Sequence, residues 1–250
     1  MLFEGDRLLV NPPPDASSDL GRFRVLSECR SAGSSTGGDF FALRLRGPRR
    51  LAVVIGDACG RGEQAASLLP HVLSRVERIA ACALRPSHFL QALNRGLVSD
   101  LSSDRFVTGA IFEIDAQRGT LTFANAAHVP AVLRRASGEV KIVGRASGPP
   151  LGILPEACWF DETLPFGSGD VMVLMTDGIV EAVESNLADM PRLTRLVAQG
   201  AGDGVAVHGR LLERLTAWQG LPDADDMTLL SLELLAEPAA GGLTAHQRAH

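Results

Sequence analysis

Two unbroken apolar runs, at residues 51–55 and 171–175, each end close to an aspartate, and this pattern constrains the fold more than any other part of the chain. Runs this long, rich in Val, Ile and Leu and without alternation, read as strands covered on both faces. Asp57 follows the first run after Gly56, and Asp177 follows the second after Thr176 and precedes Gly178. Asp39 follows Gly37-Gly38, and Asp225-Asp226 opens a third apolar run from Met227 to Leu232. Taken singly, each aspartate has a plain reading as turn chemistry, because Asp bonds its own backbone and Gly supplies positive φ. Taken together, they are carboxylates at the ends of dry strands, where they can converge. Such a cluster cannot stay ionised without a counter-charge. A hard divalent cation with oxygen ligands is the simplest one.

The hydrophobic period changes along the chain in blocks. Strands are expected over Phe23–Cys29, Phe40–Arg46 and Leu51–Ile55. A helix follows over Gln64–Leu84, with apolar residues recurring at three and four and with Pro70 predicting a kink or a late start. Pro86 is placed to open a second helix carrying Phe89, Leu90, Leu93, Leu97 and Leu101. Two helices with no strand between them do not fit a βαβ crossover. Strand patterns return over Phe106–Asp115, Thr120–Asn125, Ala131–Arg135, Val140–Val143, Trp159–Leu164 and the run ending at Asp177. Two helical segments follow, around Leu193–Val197 and Val205–Leu215, and Asp225–Leu235 is the last strand. Alternating strand and helix blocks imply an α+β fold, a layered sandwich of two mostly antiparallel sheets flanked by helix pairs. Residues 1–21 read as a lead-in segment, 22–235 as one domain and 236–250 as a disordered tail.

Composition narrows the class. A net charge of −5 over 250 residues argues against a nucleic-acid partner, which would need a basic face. The four cysteines, Cys29, Cys59, Cys82 and Cys158, are far apart and show no zinc-ligand spacing. Neither a signal peptide nor a membrane span is evident, so a cytoplasmic location is expected, with no membrane partner.

Four segments in order carry a resemblance: Gly37-Gly38-Asp39-Phe40-Phe41, Ile55-Gly56-Asp57-Ala58-Cys59-Gly60-Arg61-Gly62, Thr176-Asp177-Gly178-Ile179-Val180-Glu181-Ala182, and Asp225-Asp226-Met227-Thr228. Between them lie Phe106-Val107-Thr108, Asn125-Ala126-Ala127-His128 and Pro150-Leu151-Gly152. The set resembles the bacterial branch of the PPM (type 2C) metal-dependent serine/threonine phosphatases, in the stage II sporulation protein E and sigma-factor-regulation subclass. The likeness runs from about Phe23 to Leu235.

This resemblance implies two Mn2+ or Mg2+ ions held by Asp39, Asp57, the backbone carbonyl of Ala58, Asp177 and Asp225, with Asp225 preferred over Asp226. It implies hydrolysis of a phosphoserine or phosphothreonine monoester by a metal-activated water, with the four aspartates as the catalytic set. The implied substrate is a phosphorylated anti-sigma-factor antagonist of the STAS type. Dimerisation, a partner or metal occupancy is left to regulate activity. Two alternatives remain at this point: a regulatory binding module of the same fold, and a two-metal hydrolase of small phosphate esters. Cys59 stands where other branches carry a general-acid His, and Ala127 where the family has Gly. His128 is expected to be structural, and Asn94, Thr108 and Asn125 to pack or cap. Arg61 is the candidate for gripping phosphate, and Ser185–Pro191 a candidate for substrate or regulatory contacts.

Overall fold

The computed structural model describes residues 7–10, 18–31, 37–60, 63–82, 84–102, 104–184, 190–200, 202–216 and 225–237. Among these residues, twelve strands form two six-stranded sheets. The first sheet contains β1 (Arg7–Val10), β4 (Asp39–Leu45), β5 (Arg50–Ala58), β6 (Val107–Asp115), β7 (Thr120–Ala126) and β10 (Glu162–Pro165), in that spatial order. The second runs β2 (Ser18–Leu20), β3 (Phe23–Arg30), β12 (Met227–Leu234), β11 (Val171–Met175), β8 (Ala131–Arg134) and β9 (Val140–Val143). Every ladder within the sheets is antiparallel.

Three apolar layers explain the unbroken runs. Phe41, Leu43, Val53, Ile55, Phe112, Met172, Leu174 and Leu230 fill the space between the sheets. Phe40, Ala42 and Val54, on the opposite face of the first sheet, pack under α1 (Glu63–Ala80) and α2 (Pro86–Asp100). Val171, Val173 and Met175, on the outer face of the second sheet, pack under α3 (Asp177–Val183), α4 (Pro191–Gln199) and α5 (Gly204–Thr216). Strands β5 and β11 therefore bury both faces, which is what their sequences require. The α+β sandwich flanked by helices is the architecture expected from the block order. No helix among the described residues is long and apolar enough to cross a membrane.

Four details refine the expectation. The stretch read as a lead-in supplies an edge strand to each sheet, β1 against β4 and β2 against β3. Pro70 lies inside α1, so of the two effects expected of it the late start does not occur. Trp159 precedes β10 instead of opening it; its indole is buried and donates to the Pro149 carbonyl at 3.0 Å. Leu235 and Glu237 remain tied to the sandwich through Arg22, with a 2.8 Å ion pair to Glu237.

Candidate active site

At one end of the sandwich the inner faces change from apolar to polar within one residue step. Along β5 the inward positions read Leu51, Val53, Ile55 and then Asp57. Asp39 lies directly opposite Asp57 on β4, and Thr108 directly opposite it on β6. Directly paired residues share a face, so Asp39, Asp57 and Thr108 form a polar row at the sheet's end. On the second sheet, Leu174 is followed two residues later by Thr176, and Leu230 is preceded by Thr228, which pairs with Cys29. Because β11 and β12 are antiparallel, the end of β11 that leads into Asp177 meets the start of β12 that follows Asp225-Asp226.

Thr176 joins the two sheets. Its hydroxyl, fully buried, donates to Asp39 Oδ2 at 2.7 Å and accepts from the Thr228 N–H at 2.9 Å. The Thr176 N–H donates to the Thr228 carbonyl at 3.1 Å. Sequence reasoning missed this residue, and only the phase of alternation, which puts Thr176 on the inner face, could have signalled it. Asp226 Oδ2 accepts from the Gly38 N–H at 2.9 Å, and Asp225 Oδ1 accepts from the Asp226 N–H at 2.8 Å. Asp226 thus holds the approach to Asp39, and the charges of both Asp225 and Asp226 act on Asp57 and Asp177.

Glycine is required where these segments meet. A Cβ on Gly38 would lie 2.5 Å from the Ala58 carbonyl oxygen and 2.7 Å from Asp57 Oδ1. A Cβ on Gly178 would overlap the Asp226 carbonyl. Ala58 itself is an ordinary strand residue with no positive φ, so its carbonyl needs no glycine behind it.

The electrostatics follow from this crowding. Burial, followed by the charges of Asp39, Asp177, Asp225 and Asp226, pushes Asp57 up to about 8. Burial likewise pushes Asp39 up to about 7, against the downward pull of the Thr176 and Thr228 hydroxyls. Asp177 is also raised, by burial and then by Asp225. Protonated carboxyls at neutral pH are what an uncompensated cluster of this kind must adopt. Among the described residues no three His, Cys, Asp or Glu side chains close on a single point as a ready ligand shell. An all-oxygen set of carboxylates with one nearby backbone carbonyl still fits Mg2+ or Mn2+, which take few protein ligands and keep several waters.

Asn94, Thr108, Asn125 and His128 are fastening residues. Asn125 Oδ1 accepts from the His128 N–H at 2.8 Å, and its Nδ2 donates to the His128 and Gly144 carbonyls. The intervening Ala127 is forced to φ 57°, so a side chain stands where glycine would be unstrained. The sequence shows no partner for His128, but the fold supplies one: Nδ1 lies 3.0 Å from Thr108 Oγ1. Burial lowers the His128 pKa to about 4, leaving the ring neutral. Asn94 ties α2 to the 152–154 turn through Gly152 N and Leu154 O. The Cys59 Sγ accepts from the Phe106 N–H at 3.1 Å. Arg61 and residues 185–189 lie outside the described residues.

Comparison with known proteins agrees with this fold. The stage II sporulation protein E family model matches residues 47–235. Phosphoserine phosphatase RsbU of Bacillus subtilis is 23% identical over 224 residues, covering 88% of this chain and 64% of RsbU. Protein IcfG of Synechocystis is 26% identical over 208 residues, covering 72% of this chain and 32% of IcfG. The chain thus spans between about a third and two-thirds of these relatives' length. Among solved structures, the phosphatase domain of SpoIIE from Bacillus subtilis, with a fragment of its regulatory domain, superposes with a TM-score of 0.74 at 20% identity, covering 86% of this chain and 64% of that one. The serine/threonine phosphatase PstP with two manganese ions superposes with a TM-score of 0.62 at 14% identity, covering 86% of this chain and 99% of that one. At these identities the structural likeness establishes the fold.

Proposed function

The chain belongs to the stage II sporulation protein E family, within the PPM phosphatases, and from that premise we propose that it is a metal-dependent protein serine/threonine phosphatase. The observation that carries the reading is the convergence of partly buried carboxylates from both sheets at one end of the sandwich, where burial and then mutual repulsion raise Asp39 to about 7 and Asp57 to about 8. Asp39, Asp57, Asp177, Asp225 and the Ala58 carbonyl would hold two Mn2+ or Mg2+ ions, as the two manganese ions of PstP suggest. Bound there, the ions supply positive charge and an acidified water for attack on phosphorus.

The chain's own residues set up that chemistry. Thr176 fixes Oδ2 of Asp39 with a 2.7 Å hydrogen bond. Asp57 stands between Asp39 and Thr108 in the polar row, where its carboxylate would help to hold the ions. Asp177 opens α3, and Gly178 lets the Asp225-Asp226 backbone come close enough to contribute. Asp226, engaged with Gly38, acts as a clamp rather than a ligand. The reaction is R–O–PO3 monoester plus water giving serine or threonine and inorganic phosphate. The phosphoserine-phosphatase relatives support a protein substrate. The subclass favours a phosphorylated STAS-type anti-sigma-factor antagonist.

Asp177→Asn provides the test. With a phosphoserine peptide and Mn2+, the wild type releases phosphate and the variant loses at least about a hundredfold in turnover, the scale of losing one electrostatic element of a site. Undiminished Mn2+-dependent turnover by the variant overturns the assignment.

A further inference from the structure

A second feature lies at the far end of α3 and shares no residue with the aspartate cluster. A groove of about 410 Å3 is lined by Val183, Arg192, Arg195, Leu196, Gln199 and Arg214. It brings together three guanidinium groups, two from α4 and one from α5, on a chain of net charge −5. Among the described residues, no acidic side chain lines it. Glu184, the carboxylate nearest in sequence to Val183, is buried and accepts from the Leu193 N–H. Arg192 directs one N–H to the Val183 carbonyl at 3.1 Å. Arg195 and Arg214 are exposed and form no ion pair with a described residue. Elsewhere the pattern differs: Arg22, Arg24, Arg46, Arg75 and Arg135 all meet carboxylates at 3.2 Å or less. An uncompensated arginine cluster around a concave surface is the form anion recognition takes.

The geometry points to this groove as the docking site for an acidic segment of the phosphoprotein substrate. The inference rests on the phosphatase reading above and adds a determinant of substrate choice to it. Val183 is six residues beyond Asp177, so α3 spans roughly 9 Å between the carboxylate cluster and the groove. An extended peptide covers that distance in roughly three residues. A substrate whose phosphoserine sits at the aspartates therefore places a side chain three or four residues away against Arg195 and Arg214. The apolar walls from Val183 and Leu196 admit the methylene stem of a glutamate while its carboxylate meets guanidinium.

Two phosphoserine peptides test this, identical except for glutamate or alanine at the third and fourth positions on each side. The wild type should turn over the glutamate peptide with the lower KM. Arg195→Ala/Arg214→Ala should raise that KM roughly three- to tenfold, as expected for losing two exposed charge pairs. The variant should leave the KM of the alanine peptide and the hydrolysis of p-nitrophenyl phosphate unchanged. Arg195→Lys/Arg214→Lys should keep most of the preference. Hydrolysis of both peptides with equal KM by the wild type, or a preference kept by the alanine variant, overturns the groove and leaves the phosphatase reading standing. If neither peptide nor the small ester is hydrolysed with Mn2+, the phosphatase reading fails. Fluorescence anisotropy of labelled glutamate peptide on wild type and variant then still decides the groove, and equal binding refutes it.

Discussion

Replacing Thr176 by valine keeps the shape of the side chain and removes only its hydroxyl, which makes it a sharp probe of the site's construction. Two bonds go: the donation to Asp39 Oδ2 at 2.7 Å and the acceptance from Thr228 N at 2.9 Å. The Thr228 N–H is buried and would lose its acceptor, a cost of about 1–3 kcal/mol. The bond to Asp39 is worth about 1.5–3 kcal/mol when the carboxylate is ionised, and less in the metal-free protein, where Asp39 at about 7 is partly protonated. A net loss of about 2–4 kcal/mol follows, which for a chain of this size lowers the melting temperature by about 4–16 °C. Thr176→Ser keeps both bonds and loses one methyl group, about 1 kcal/mol. Calorimetric unfolding in EDTA and Mn2+ titration of the three proteins measure this. Valine should fall well below serine in stability and also weaken Mn2+ binding, because Asp39 loses the hydroxyl that favours its ionised form. A valine variant that matches serine in both measurements refutes the role given to Thr176.

Two further predictions concern stability. In the metal-free protein the folded-state pKa values of Asp39 and Asp57, about 7 and 8, lie above the unfolded values near 3.9. The folded chain therefore binds more protons, and their contribution, full below about pH 4, is lost as pH climbs through 7 to 8. His128, with its pKa lowered to about 4, contributes the opposite slope, but only below its unfolded value near 6.5. Between about pH 6.5 and 8.5 the melting temperature in EDTA should therefore fall, and Mn2+ should raise it by more at the alkaline end; a flat or rising metal-free profile would contradict the clustered carboxyls. Ala127→Gly should relieve the left-handed backbone at φ 57° and stabilise by about 0.5–1 kcal/mol after the entropy lost by glycine, read as a small rise in melting temperature. A fall would show that Ala127 is not strained.

Much of the sandwich was legible because burial on both faces leaves a mark in sequence. The runs at Leu51–Ile55 and Val171–Met175 announced central strands, and Asp57 and Asp177 showed where they stop. Strands β1 and β2 were not legible: they have four and three residues, and backbone pairing to β4 and β3 defines them more than any apolar pattern. Nor could sequence show that Asp226 accepts from the Gly38 N–H, a partner 188 residues away. Thr176 escaped for the same reason, its Asp39 partner being 137 residues distant.

The division of the carboxylates between sheets has a mechanical consequence. Asp39 and Asp57 hang from one sheet, whereas Asp177 and Asp225 belong to the other, and across that seam Thr176 bonds to Asp39. Cations lodged among these groups would act as rivets through the seam. Loading the site and holding the two halves of the sandwich in register would then become one linked equilibrium, so each strengthens with the other.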